Sequence, residues 1–311
     1  MDIEGAALFD VLVVGDANPD LVLRGDVRPR FGQVEQLLTG ADLVLGGSGS
    51  ITAAGCARLG LRTAMLAAVG DDVFGRVVRD ALDERGVTLL AADAHGAPTG
   101  LSVILTPEGG EGRAILTLPG TIPLLRPADI TDDLLGRTRH VHVSSLYLQP
   151  ALADGLAGVF ERAHKLGVTT SLDTNWDPSE RWSSIAEILA HTDVFLPNAA
   201  ELLAITGAST PEEGAKSLGA TVVMKDGARG ARAWWDGGSG EAPGRPVEVV
   251  DTIGAGDSFN AGFLAARLGG RTVEESVRWA AAAGSLSTRA AGGTAAQATA
   301  EELGAEGGWG Q

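Results

Sequence analysis

The chain has 311 residues, 44% apolar and 21% charged, enough material for a sizeable core and too apolar for intrinsic disorder. Its 24 Lys and Arg against 40 Asp and Glu leave a net charge of −16, which disfavours nucleic acid and anionic lipid as partners but permits a small anion at a local positive site. One cysteine, Cys56, excludes an intrachain disulfide framework and a cysteine-rich metal site. The longest apolar runs, such as residues 11–14 and 64–69, fall far short of the roughly 18–20 residues of a membrane span. Acids stand near the N-terminus where a signal peptide would carry basic residues, so a cytoplasmic protein is expected.

Residues 9–16 read as a buried first strand and 20–25 as a second. The run 41–47 ends in a glycine turn, and small and apolar residues follow at helical spacing. Residues 62–70 read as another buried strand, and 72–85 as an amphipathic helix. Two alternating runs, 99–106 and 112–118, are joined by a turn-rich segment and predict a β-hairpin. Such a hairpin sits awkwardly in a parallel sheet and suits a small β-lid beside the main body. From residue 139 onward strands (140–145, 168–173, 192–198, 220–227) alternate with helical patterns such as 151–165 and 199–206. Repeated βα units predict a mostly parallel sheet covered by helices on both faces, with ligands beyond the carboxyl ends of the strands. Asp16, Asp173, Asn198 and Lys225 end such strands and are site candidates on that ground alone. The Ala-, Gly- and Glu-rich tail from 294 to 311 is expected to be loosely ordered at its end.

The segment Val247–Leu268, VEVVDTIGAGDSFNAGFLAARL, carries the clearest chemistry. A β-rich run meets Asp251 and Thr252, then Gly254-Ala255-Gly256, then an amphipathic helix. Glycines at such a turn let backbone N–H groups converge, and the helix N-terminus adds positive potential, which makes an anion hole. Asp257 falls in the first helical turn, where a carboxylate can accept a proton from a hydroxyl while the hole stabilises charge. A helix cap would account for Asp257 alone, but not for the flanking glycines together with Asp251 and Thr252. No P-loop, dinucleotide fingerprint or nucleophile elbow occurs. His140 and His142 share one side of a strand without a cluster of acidic or cysteine partners nearby, and Trp234-Trp235 read as packing.

The run DTIGAGDSF (residues 251–259) resembles the C-terminal signature of the ribokinase-like, PfkB-type carbohydrate kinases. The resemblance extends over roughly residues 10–293. GDANPD (15–20) looks like the family's sugar-binding turn, with Asn18 and Asp20 in the polar positions. GGSGSITAAGCARLG (46–60) resembles its N-terminal glycine motif, placing Gly46, Gly47 and Ile51 at the sugar. AAVGDDVFG (67–75) looks like the strand-to-helix segment that follows it. PNAAE (197–201) matches an Asn-x-x-Glu element associated with magnesium and phosphate, through Asn198 and Glu201. VVMKDGARGA (222–231) resembles the nucleotide-side strand and loop, with Lys225, Gly227 and Gly230. The small-residue run 279–293, with Ala283 and Gly284, corresponds to the lining of the adenine pocket, and Thr252 lies on the nucleotide side. The implied fold is α/β, a single ribokinase-like three-layer domain over residues 1–311. It has a mostly parallel central sheet and a small β-sheet lid from segments within about 17–45 and 97–120.

The implied activity is ATP-dependent phosphorylation of a hydroxyl on a sugar or sugar-like small molecule. Asp257 is then the general base and the Gly254–Asp257 amides the anion hole. ATP and Mg2+ are the implied cofactors, with K+ at the carbonyls near Asp251 and Ile253. A homodimer through the lid is the implied assembly. Two departures bear on the substrate. Ile51 stands where the family's glycine motif often has Asn, and a sugar hydroxyl left unpaired there costs roughly 1–3 kcal/mol. Asp177 stands where Arg is usual in the segment 171–182, which disfavours 2-keto-3-deoxy sugar acids unless Arg181 substitutes. A nucleoside kinase, and a catalytically silent sugar- or nucleotide-binding regulator, remain the alternatives.

Overall fold

The computed structural model describes residues 8–107, 112–182 and 185–304. Its strands are β1 (Val11–Val14), β2 (Asn18–Gly25), β3 (Leu38–Gly46), β4 (Thr63–Ala68), β5 (Thr88–Ala92), β6 (Leu101–Pro107), β7 (Ala114–Leu118), β8 (His140–Ser144), β9 (Thr169–Asp173), β10 (Val194–Phe195), β11 (Thr221–Lys225), β12 (Ala231–Trp235) and β13 (Gly238–Ala242). Nine form one sheet in the order β13-β12-β11-β10-β9-β8-β1-β4-β5, parallel from β5 through β11 and antiparallel beyond. The other four form a separate sheet, β3-β2-β6-β7.

Alternation along each central strand divides the core into two layers. Val11 and Val13 of β1 face one apolar cluster, and Leu12 and Val14 face the other. The first layer is closed by α1 (Ser48–Arg58) and by the helices Ala255–Leu268 and Val273–Ser287. The second is closed by α3 (Leu156–Lys165), which buries Leu156, Val159, Phe160 and Ala163. Between α1 and α3 in the chain lies α2 (Val73–Asp83), capped by Asp72, whose carboxylate accepts from the Gly75 amide at 2.7 Å. The remaining long helices are α4 (Ala199–Thr206), α5 (Ala255–Leu268) and α6 (Val273–Ser287).

The small sheet contains the hairpin expected at 99–118: β6 and β7 pair antiparallel. β2 runs parallel to β6, and β3 antiparallel to β2. Two expectations differ from the structure. Residues 247–250 are not a strand; Val249 and Val250 are exposed, and the Val250 and Asp251 amides donate to the Thr288 carbonyl. The pattern 151–165 is broken at Gly155, where a side chain would meet the Pro127 ring, so a short helix (Pro150–Ala153) precedes α3. The tail is docked as far as Gly304, since buried Gln297 donates to the Ile51 carbonyl at 2.9 Å and Ala300–Gly304 is helical. Residues 305–311 lie outside the described part. Trp234 and Trp235 pack on β12, with Arg232 over the Trp234 ring.

Candidate active site

The carboxyl ends of β1, β8, β9 and β11 open onto two adjoining cavities. The first, of about 540 Å3, is bounded by Asp16, Asn18, Asp20, Gly47, Ser48 and Ile51 from the N-terminal segments. The small sheet adds Ser102, Ile104, Arg113, Ile115 and Thr117, and the main domain adds Trp176, Asn198, Glu201 and Asp257. The second, of about 490 Å3, is lined by Gly227, Gly230, Val247, Val249, Thr252, Ala255, Ala281 and Gly284. Lys225, Gly227 and Gly256 border both.

The wall between them begins at Gly254. This residue is left-handed (φ 69°) as the N-cap of α5, and a side chain on it would collide with Gly293, so glycine is required twice over. The Ala255 amide donates to the Thr252 carbonyl at 3.3 Å and the Ser258 amide to the Gly254 carbonyl at 2.8 Å. The Gly256 and Asp257 amides are left without an intrahelical acceptor, as the first turn of a helix requires. Ser48, from the first turn of α1, donates its hydroxyl to Asp257 Oδ1. Burial raises the Asp257 carboxyl to about 7; the Asp173 and Asp16 charges add to the rise, and the Ser48 bond and Lys225 oppose it.

Lys225 Nζ lies 2.5 Å from Asp173 Oδ2, and Asn260 Nδ2 of α5 donates to the same oxygen at 2.6 Å. Burial opposes the lysine's charge, but Asp173, Glu201 and Asp257 outweigh it and hold its pKa above the ordinary value. Asn198 and Glu201 form a reciprocal capping box at the start of α4. The Glu201 amide donates to Asn198 Oδ1 at 2.9 Å, and the Asn198 amide to Glu201 Oε2 at 2.8 Å. Desolvation, together with the Asp173 charge, raises buried Glu201 to about 7.

At the other end, the buried Asp16 carboxylate accepts from the Ser48 and Gly49 amides (3.0 and 2.9 Å) and so anchors the N-terminus of α1. Asn18 Nδ2 donates to Asp20 Oδ1 at 3.2 Å. Desolvation, then the charges of Asp16 and Asp257, raise Asp20 to about 7. The glycine pair beside them has a steric cause. A side chain at Gly46 would overlap the Asp20 carboxyl, and one at Gly47 (φ 83°) would press on Asn18 and the Asp16 carbonyl.

Most of the expected site residues therefore converge on these cavities, and four do not line them: Gly254 turns the chain into α5 against Gly293, and Asp173 stands behind Lys225, which it holds. Gly46 backs Asp20 from outside the cavity wall, and Ala283 packs against Gly262 in the core while its neighbour Gly284 faces the second cavity. Ile51 is 3% exposed; it borders the first cavity and also packs on Gly254 and Gly293. Asp177 organises its own loop, accepting from the Ser179 and Trp182 amides (2.8 and 2.7 Å). Arg181 lines a different cavity of about 460 Å3 and does not border the first one. Sequence reading missed Ser48, Arg113, Trp176 and Asn260. Arg113 donates to Thr252 Oγ1 at 3.3 Å across 139 residues, and half-exposed Trp176 packs edge-on against Trp182 with ring centroids 4.8 Å apart. No local pattern marks such residues; Asn260 alone had a signal, three positions after Asp257 and so on nearly the same helix face.

Residues 9–300 match the family described as pfkB family carbohydrate kinase. An ATP-dependent ribose-1-phosphate kinase of Halopiger xanaduensis is 32% identical over 277 residues, 89% of this chain and 90% of that protein. A ribokinase of Bacillus subtilis is 29% identical, covering 94% of this chain and 98% of its own length. The structure of Arabidopsis thaliana ribokinase complexed with ribose and ATP superposes with a TM-score of 0.79 at 26% identity, over 94% of this chain and 96% of that one. The nine-stranded, mostly parallel sheet with its small companion is thus the ribokinase-like fold, and the chain belongs to the pfkB family of carbohydrate kinases, phosphotransferases with an alcohol group as acceptor.

Proposed function

We propose that the protein transfers the γ-phosphoryl group of ATP to a hydroxyl of a sugar, with Asp257 as the general base. The observation that carries this reading is the position of Asp257, a part-buried carboxylate on the first turn of α5 beside the junction of the two cavities. The acceptor occupies the cavity of Asn18, Asp20, Gly47 and Ile51. The nucleotide occupies the one lined by Gly227, Gly230, Thr252 and Gly284. Asp257 takes the hydroxyl proton as the oxygen attacks. The Gly254–Asp257 turn, through its open Gly256 and Asp257 amides, stabilises charge on the transferring group, and Lys225 neutralises phosphate.

Five carboxylates (Asp16, Asp20, Asp173, Glu201, Asp257) stand in or beside this region against Lys225 and Arg113, an excess of negative charge that suits a divalent cation. Among the described residues no group of three or more His, Cys, Asp or Glu is arranged to hold a metal. Magnesium would therefore be held through water by Glu201 and Asn198, supplying charge neutralisation to the phosphates. The small sheet, over segments within about 17–45 and 97–120, acts as the lid. Its inner row Val44, Asp20, Ser102, Thr117 faces the acceptor cavity. Its outer row Leu43, Leu21, Val103, Leu116 is apolar across all four strands and suits a second lid.

One observation favours a nucleoside as the second reading. Trp176 stands half-exposed on an acceptor cavity that Ile51, Ile104, Ile115 and Ile253 make largely apolar, a surface on which a base can stack. ATP consumption with ribose, fructose, ribose 1-phosphate, sugar acids and nucleosides tests both. Turnover with a sugar or sugar phosphate upholds the first reading and preference for a nucleoside the second; consumption with none of them overturns both.

A further inference from the structure

Beneath the site, the face of the main sheet covered by α5 is polar where an aliphatic layer is expected. His140, His142 and Ser144 alternate on β8, beside Thr169, Ser171 and Asp173 on β9. All except Thr169 are buried. They are bonded in series: His140 Nδ1 to Thr169 Oγ1 (2.7 Å), His140 Nε2 to Ser171 Oγ (2.7 Å), and His142 Nδ1 to the same Ser171 Oγ (2.8 Å). Burial keeps both imidazoles neutral, lowering His140 to about 3 and His142 to about 4.

Proton counting gives the chain a direction. With the Thr169 hydroxyl proton assigned to the Arg139 carbonyl (3.4 Å), Thr169 accepts from His140 Nδ1–H. His140 Nε2 is then a lone pair and takes the single hydroxyl proton of Ser171. The Ser171 oxygen in turn takes the proton of His142 Nδ1–H, and His142 Nε2 is left as a bare acceptor. That atom is buried and has no partner, and the same is true of Asn260 Oδ1 and Ser144 Oγ. The Asn260 amide cannot be reversed, because its Nδ2 must face the Asp173 carboxylate. All three residues border Asp173. Ser144 is its cross-strand partner, Asn260 donates to it, and His142 lies diagonally across the strand pair and feels its charge.

Two bare acceptors and one hydroxyl match the capacity of a single water molecule, and orphaned buried polar atoms are costly without one. We propose that these atoms form the binding site of one internal water, which donates to His142 Nε2 and Asn260 Oδ1 and accepts from the Ser144 hydroxyl. The water fixes the Asn260 amide, Asn260 and Asp173 fix Lys225, and His142 is thereby a positioning residue. This last step rests on the proposed role of Lys225 toward phosphate.

A crystal structure fine enough to show ordered water is expected to contain one enclosed water within about 3.2 Å of the three atoms; a site without it overturns the proposal. Histidine-selective 15N NMR of the intact protein is expected to show His142 protonated on Nδ1 only, and an Nε2–H tautomer overturns the proton order. His142→Phe should remain folded and lose the water, and kcat should fall about 10-fold or more with the acceptor KM unchanged. His142→Gln, which restores an acceptor, should recover part of that loss. Unchanged kcat in a water-free His142→Phe overturns the positioning role. Lys225→Met separates the two readings: wild-type turnover in it removes the role of Lys225 and leaves the water site standing.

Discussion

Asp257 is held at a pKa that no exposed aspartate shows, and the cause is burial among other carboxylates. A base with a pKa near 7 must lose its proton to act, so kcat/KM should rise with pH through about 7 and level off above it. A flat profile from pH 5 to 9 would count against Asp257 as the base. Asp257→Asn should lower turnover about 10²- to 10⁴-fold while leaving ligand binding nearly intact. The same change should stabilise the ligand-free protein. A carboxyl whose folded pKa is raised binds more protons folded than unfolded, so its stabilising contribution is present at low pH and is lost as pH climbs from about 4 to about 7. The melting temperature of the asparagine variant should therefore exceed wild type by a margin that grows from pH 5 to pH 8, as scanning calorimetry would record. Asp20→Ala acts on the other ligand. Removing bonds to a charged group should weaken acceptor binding by about 1.5–3 kcal/mol, seen as a raised acceptor KM with ATP affinity unchanged. An unmoved acceptor KM in a folded variant would exclude that role.

At the scale of an element, α1 carries two duties that meet at Ile51. The helix begins at Asp16, presents Ser48 to Asp257, and turns Ile51 onto Gly254 and Gly293 while leaving part of it on the acceptor cavity. Ile51→Asn should cost stability, because its amide would face these glycines with few partners. It should also improve use of ribose- or fructose-like acceptors relative to the native one, by about 10-fold for each 1.4 kcal/mol of hydrogen bonding regained. Thermal unfolding and an acceptor panel on one sample read both effects. A lowered melting temperature with an unchanged acceptor ranking would assign Ile51 to packing alone. The capping box of α4 shows a similar double use: Asn198 and Glu201 satisfy each other's backbone amides, and Glu201 also borders the acceptor cavity.

For the whole molecule, the outer face of the small sheet sets the expected assembly. Leu43 and Leu116 are 44% and 59% exposed, at the two ends of a cross-strand apolar row through Leu21 and Val103. An apolar sheet face of this extent suits an interface, and in the proposed lid-to-lid homodimer a second copy would supply the matching surface. Leu116→Glu or Leu21→Glu should shift the protein from dimer to monomer in analytical ultracentrifugation. A wild-type monomer at micromolar concentration would exclude the lid-to-lid assembly.

Features made by residues close in the chain were legible in the sequence. The turn at 254–257, the Asn198–Glu201 pair, the alternation of β6 and β7 and the βα rhythm all depend on spacings of two to four residues, which backbone geometry converts directly into structure. The β-rich run before Asp251 was misread because its strand character needed a neighbouring strand, and it has none. Cross-chain meetings were beyond reach for the same reason. Ser48 reaches Asp257 across 209 residues, Arg113 reaches Thr252 across 139, and Lys225 meets Asp173 across 52. Strand order and helix packing decide those meetings. The pKa values of Asp20, Glu201 and Asp257 follow from them, since desolvation and the field of neighbouring charges exist only once distant segments have been brought together.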